Sequence, residues 1–88
     1  MNEKQKFILQ YQEEVQALSV KLDTLELQDK KNTPEYYQTL IELQTRLTQI
    51  RSNLSFLKRF EFDKLSRKVS DHVKREIDRY ERTNTNLK

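Results

Sequence analysis

The 88-residue sequence contains no cysteine, no glycine and no tryptophan, and it has one proline and one histidine. Without cysteine there are no disulfides, no thiolate metal sites and no thiol nucleophile. Without glycine, the Gly-rich loops that cradle phosphates and most two-residue β-hairpin turns are excluded. Apolar residues make up 34% of the chain, against a usual share of about 45–50%, so a thick globular core is not expected. No window approaches the roughly 18 apolar residues of a membrane span. The start, MNEKQKFILQYQEE, lacks the apolar core and small-residue cleavage site of a secretory signal. The chain therefore reads as cytoplasmic.

What is present in quantity is charge, at 35% of residues, and an almost uninterrupted supply of helix formers. The net charge of +3 is unevenly spread: residues 58–88 hold ten basic and six acidic side chains, whereas residues 1–33 hold five and six. The C-terminal third carries the excess.

Two apolar seams with alternating spacings of three and four mark helices that pack as coiled coils. The first is Ile8, Tyr11, Val15, Leu18, Leu22 and Leu25; the second is Leu40, Leu43, Leu47, Ile50, Leu54 and Leu57. They mirror one another, since Leu25 with Leu40, Leu22 with Leu43 and each later pair have numbers summing to 65. A chain that reverses near residue 32 lays one seam on the other, which is an all-α antiparallel helical hairpin. The reversal has local support: Asn32 tolerates a left-handed cap, Thr33 offers an N-cap oxygen, and Pro34 suits the first helical position.

Beyond Leu57 the stripe changes to Phe60, Phe62, Leu65, Val69, Val73, Ile77 and Tyr80, with spacings nearer four. With no Gly or Pro to stop the helix, continuity is favoured over a bend that returns the chain as a third helix. The expected plan is a single helical unit: a helix over about 4–30, a tip at 30–33, a long helix over about 34–82, and a frayed tail at 83–88. The overhang then has no partner within the chain. Phe62, Leu65, Val69, Val73, Ile77 and Tyr80 are accordingly expected to mediate self-association or partner binding, as a homo- or heterodimer.

A two-helix rod offers no convergent pocket, so no catalytic residue, cofactor or small-molecule substrate is expected. His72, with Asp71 beside it and Glu76 one turn on, is a weak metal pair, and a solvent-exposed or interface histidine is the preferred reading. Arg67, Lys68, Lys74, Arg75, Arg79 and Arg82 form a band along the last helix. A solvated face accounts for such a band; an anionic membrane surface is the functional reading, and nucleic acid ranks below it. Lys30, Lys31, Tyr36 and Tyr37 at the tip offer a second membrane contact, unless the lysines serve the helix dipole and the tyrosines the packing of the first turn.

The run Val69-Ser70-Asp71-His72-Val73-Lys74-Arg75-Glu76-Ile77-Asp78-Arg79-Tyr80-Glu81-Arg82 resembles the last BAR-domain helix of the retromer-associated sorting nexins. In that family an aliphatic-Ser step is followed by Val or Ile, two basic residues, Glu, an aliphatic, any residue, Arg, an aromatic, Glu and a basic residue. The coiled coil, polar tip and second coiled coil upstream are similar in outline to the family's second and third BAR helices. The resemblance implies part of a membrane-bending scaffold in endosomal sorting, a dimer with basic residues on its concave face, without the family's PX domain or first BAR helix. The competing reading is a helical subunit of a tethering or scaffold complex that works through protein contacts alone.

Overall fold

The computed structural model describes residues 3–85, with the side chains of 3–5, 7, 8 and 85 left aside. It is all-α, with α1 at Glu3–Leu27, α2 at Pro34–Ser52 and α3 at Phe56–Thr85. The hairpin forms where the mirrored seams place it. Leu22, Leu25, Leu40, Leu43, Leu47 and Ile50 are buried, and Val15 and Leu18 pack against them half-buried. Farther from the tip the seam loosens: Leu54 is half-buried, and the guanidinium of Arg46 sits 5.6 Å above the Tyr11 ring while pairing with Glu14 at 2.9 Å. The side chain of Ile8 lies outside the described residues.

The tip is built by a different residue from the one expected. Asp29, not Asn32, takes the left-handed conformation, at φ 59°. The amide of Asp29 donates to the Glu26 carbonyl and that of Lys30 to the Leu25 carbonyl, at 3.1 and 2.9 Å, which is the paired bonding that closes a helix through one left-handed residue. Aspartate tolerates that position because its short polar side chain limits the steric penalty. Thr33 caps α2 as its chemistry predicts: Oγ1 accepts from the Tyr36 amide at 3.3 Å and donates to the Lys30 carbonyl at 2.8 Å. Pro34 follows in the first turn.

The long second helix is corrected by the structure. α2 stops at Ser52 and the chain turns back through residues 53–55. No Gly or Pro is needed, because short polar side chains compete for the carbonyls that would continue the helix. Ser52 Oγ donates to the Thr48 carbonyl at 2.7 Å and Asn53 Nδ2 to the Gln49 carbonyl at 2.8 Å. The Arg59 guanidinium then donates through Nε to the carbonyls of Arg51 and Leu54, at 3.1 and 3.0 Å, satisfying acceptors that a helix C-terminus leaves open. A bidentate pair from Arg51 to Asp63, with its shortest bond at 2.9 Å, ties the two sides of the turn.

α3 therefore runs antiparallel to α2, and its apolar stripe is spent inside the chain. Val73 is 1% exposed, Phe62 and Ile77 pack against the same core, and Tyr80 stacks on Tyr37 with centroids 4.6 Å apart. This corrects the expectation that these four form an intermolecular surface. Leu65 and Val69 do remain exposed, at 85% and 36%. Leu57 is a second correction: it is 78% exposed and takes no part in the seam, because it falls in α3 after the turn. Residues 83–85, expected to fray, continue α3. Among the described residues α1 and α3 flank α2 without a Cα approach of 8 Å between them, and the described chain measures 48 × 22 × 18 Å.

Candidate functional site

Folding back gives α3 two faces with different chemistry. The inner face carries polar groups that lock it to the hairpin tip. The Tyr36 ring is fully buried, and its hydroxyl donates to Glu26 Oε1 at 2.6 Å. His72 Nε2 lies 2.9 Å from the same oxygen, and since a carboxylate only accepts, the imidazole is the donor. One turn on, Glu76 is 9% exposed and bonds to Lys31 Nζ at 3.1 Å and Arg79 Nε at 2.7 Å. Arg79 also donates through Nη1 to Asn32 Oδ1 and through Nη2 to the Lys31 carbonyl, both at 2.9 Å. The Tyr37 hydroxyl donates to Glu81 at 2.8 Å. Three elements are thus joined by charge-assisted bonds around the tip.

This clasp sets a pH dependence. Burial pushes the carboxyls of Glu26 and Glu76 up, but hydrogen bonds from Tyr36 and His72 to Glu26, and from Arg79 and Lys31 to Glu76, outweigh it and hold both below their ordinary value of 4.5. Burial, and then the bond to Glu26, raises the Tyr36 hydroxyl, so it stays protonated as the donor. For a carboxyl depressed in the folded state, the stabilisation is present above the unfolded value and is lost as pH falls through the folded one. The urea midpoint should hold steady down to pH 4.5 and decline below it. Glu26→Gln with Glu76→Gln should flatten that decline; an unchanged profile in the double variant would place the acid sensitivity elsewhere.

The clasp also redistributes the residues expected to meet a membrane. Lys31 and Arg79 are held by Glu76 and the tip, Tyr36 is buried, and Tyr37 is engaged with Tyr80 and Glu81, so these four are internal contacts. Arg82 pairs with Asp78 one turn earlier. Lys30 is exposed at the tip. Arg67, Lys68, Lys74 and Arg75 are all exposed on the outer side of α3. Arg75 there donates at 3.4 Å to the backbone carbonyl of Asp71.

Two groups that the charge count did not single out join them. Lys64 is exposed in the same band, and at its N-terminal end Phe56, Leu57 and Phe60 are 70%, 78% and 60% exposed. Phe56 and Phe60 meet edge to face, with centroids 5.5 Å apart. Phe56, Phe60, Lys64, Arg67, Asp71 and Lys74 recur at intervals of three and four, with Leu57, Lys68 and Arg75 beside them, which makes one stripe on the helix surface. That periodicity was present in the sequence, but beside the stronger apolar stripe it read as a solvated face.

No family model, curated protein or solved structure matches the chain. The functional reading consequently rests on the chain's own chemistry. Among the described residues no group of three or more histidines and carboxylates could hold a metal ion, and His72 faces Glu26 across the α1–α3 junction. No described helix is long and apolar enough to cross a membrane.

Proposed function

We infer that the chain is a non-enzymatic helical scaffold that docks on anionic membrane surfaces through the outer face of α3. The observation that carries this reading is the coincidence, along one stripe, of exposed Phe56, Leu57 and Phe60 with exposed Lys64, Arg67, Lys68, Lys74 and Arg75. Apolar side chains partition into the boundary between headgroups and acyl chains while the cations meet anionic lipid, each basic residue contributing about 1 kcal/mol near the surface. Asp71 and Asp78 are the opposing charges on that side, and Asp78 is already paired with Arg82. The resemblance of residues 69–82 to a sorting-nexin BAR helix supports the same class of function, with endosomal sorting as its setting and a dimer as its working form. The polar groups of the clasp satisfy one another rather than converging on a cavity, which favours a structural role for them over a catalytic one.

Co-sedimentation with vesicles tests the reading. Binding should require phosphatidylserine in a phosphatidylcholine background and fade between about 50 and about 300 mM salt, as exposed attractions do when the Debye length shrinks. Replacing Arg67, Lys68, Lys74 and Arg75 by Glu changes the surface by eight charges and should reduce pelleting to the level of neutral vesicles. Equal pelleting of variant and wild type would contradict membrane docking and favour a scaffold subunit acting through protein contacts alone.

A further inference from the structure

α2 and α3 enclose an open groove of about 540 Å³ that no described α1 residue lines. Its floor is apolar, from Leu47 and Val73, with Phe60 and Phe62 at one end. Four hydroxyl or amide side chains line it: Gln44, Thr48, Ser66 and Ser70. Thr48 and Ser66 each donate to the carbonyl four residues earlier, at 3.0 and 2.7 Å, the ordinary fate of a helical hydroxyl. Ser70 and Gln44, both half-buried, have no side-chain partner among the described residues and keep their donors. Lys64, Arg67 and Lys74 line the same groove and likewise make no side-chain bond among the described residues.

The charge balance favours an anion. Arg51 and Asp63 neutralise one another at the turn end. What remains is three cations against Asp71. Arg67 and Lys74 are two helical turns apart, about 10.5 Å along the axis, with Ser70 midway between them on the same side. Two long basic side chains can therefore close from either end over a group seated at Ser70, and Gln44 lines the same groove from α2. Over an apolar floor such contacts are stronger than in open water. A carboxylate or phosphodiester uses only part of this donor set. A phosphomonoester, with three acceptor oxygens and close to two negative charges, uses all of it.

We propose that the α2–α3 groove binds a phosphomonoester, with Arg67 and Lys74 flanking it and Ser70 and Gln44 donating to its oxygens. This deepens the membrane reading and rests on it: on a bilayer the ligand is a phosphomonoester lipid headgroup such as that of phosphatidic acid. The same chemistry could also be met by a soluble phosphomonoester.

The test compares vesicles carrying phosphatidic acid with vesicles carrying phosphatidylserine at equal measured surface potential, and adds an NMR titration with glycerol 3-phosphate. Wild type should prefer phosphatidic acid by on the order of tenfold, the equivalent of one hydrogen bond to a charged group. Gln44→Ala with Ser70→Ala, which leaves the basic stripe intact, should abolish that preference and keep phosphatidylserine binding. Glycerol 3-phosphate should shift the amides of residues 44, 67, 70 and 74. Its displacing the chain from phosphatidic acid vesicles would show that the headgroup alone suffices, whereas shifts without displacement would place the bilayer in the site as well. Equal wild-type binding to the two lipids, or a preference that survives the double variant, would overturn the groove and leave membrane docking standing. Absence of binding to both lipids would overturn membrane docking, and the glycerol 3-phosphate titration alone would then uphold the groove by groove-confined shifts or overturn it by their absence.

Discussion

Val73→Asp should abolish the cooperative thermal transition, whereas Leu65→Asp on the same helix should leave it almost untouched. Val73 is 1% exposed and belongs to the cluster that joins all three helices. An aspartate there is an unpaired charge in apolar surroundings, at a cost of several kcal/mol. For a chain this short the whole folding free energy is only about 4–13 kcal/mol at 0.05–0.15 kcal/mol per residue. Leu65 is 85% exposed, and a change at such a position stays within about 0.5 kcal/mol. The contrast discriminates between architectures, because on an uninterrupted helix projecting past the hairpin Leu65 and Val73 would share one environment. Circular dichroism melts of both variants measure it, and equal melting temperatures would contradict the fold-back.

Tyr36→Ala should cost about 3–5 kcal/mol, the range for emptying a buried aromatic site. The ring has no exposed surface and its hydroxyl bonds to Glu26 at 2.6 Å, so the truncation opens a cavity and also removes a donor from the clasp. Tyr36→Phe separates the two effects. It keeps the ring and should lose about 1.5–3 kcal/mol, the worth of a hydrogen bond to a charged group, with Glu26 still held by His72. If the phenylalanine variant matches wild type in urea denaturation, the clasp contributes no stability and ring packing accounts for the whole role of Tyr36.

The hairpin was legible because it is written in periodicity. Leu22, Leu25, Leu40, Leu43, Leu47 and Ile50 are buried where their spacing and mirrored numbering place them, and Thr33 and Pro34 start α2 through local chemistry. The turn at 53–55 was not legible in the same way. It depends on Arg59 reaching back to the Arg51 and Leu54 carbonyls and on Arg51 meeting Asp63, bonds between residues with no periodic relation. Missing the turn left the stripe from Phe62 to Tyr80 without a partner, so it read as an interface between chains when most of it is an interface within one. Asp29 displaced Asn32 as the left-handed residue because only a residue two beyond Leu27 can close the last turn of α1.

For the candidate site, the basic character of α3 was visible in the charge count, but the fate of each cation was not. Lys31 and Arg79 look like Lys74 and Arg75 in a sequence, and only the approach of Glu76 and Asn32 removes them from the surface. Phe60 read as part of an apolar stripe in need of a partner. It emerges as exposed, beside Phe56, because the first turns of α3 lie beyond the end of the α2 seam.

The central claim is that α3 lies back along α2 and so turns its basic, aromatic-tipped stripe outward. Spin labels at Gln38→Cys and Arg82→Cys, both exposed positions in a chain with no native cysteine, measure this directly by double electron–electron resonance. Labelled protein would be diluted into unlabelled chain so that only distances within one molecule contribute. The fold-back predicts a short distance, since Tyr37 and Tyr80 stack at 4.6 Å beside these sites. A continuous helix would separate residues 38 and 82 by about 66 Å at 1.5 Å per residue, and a distribution centred there would contradict the account.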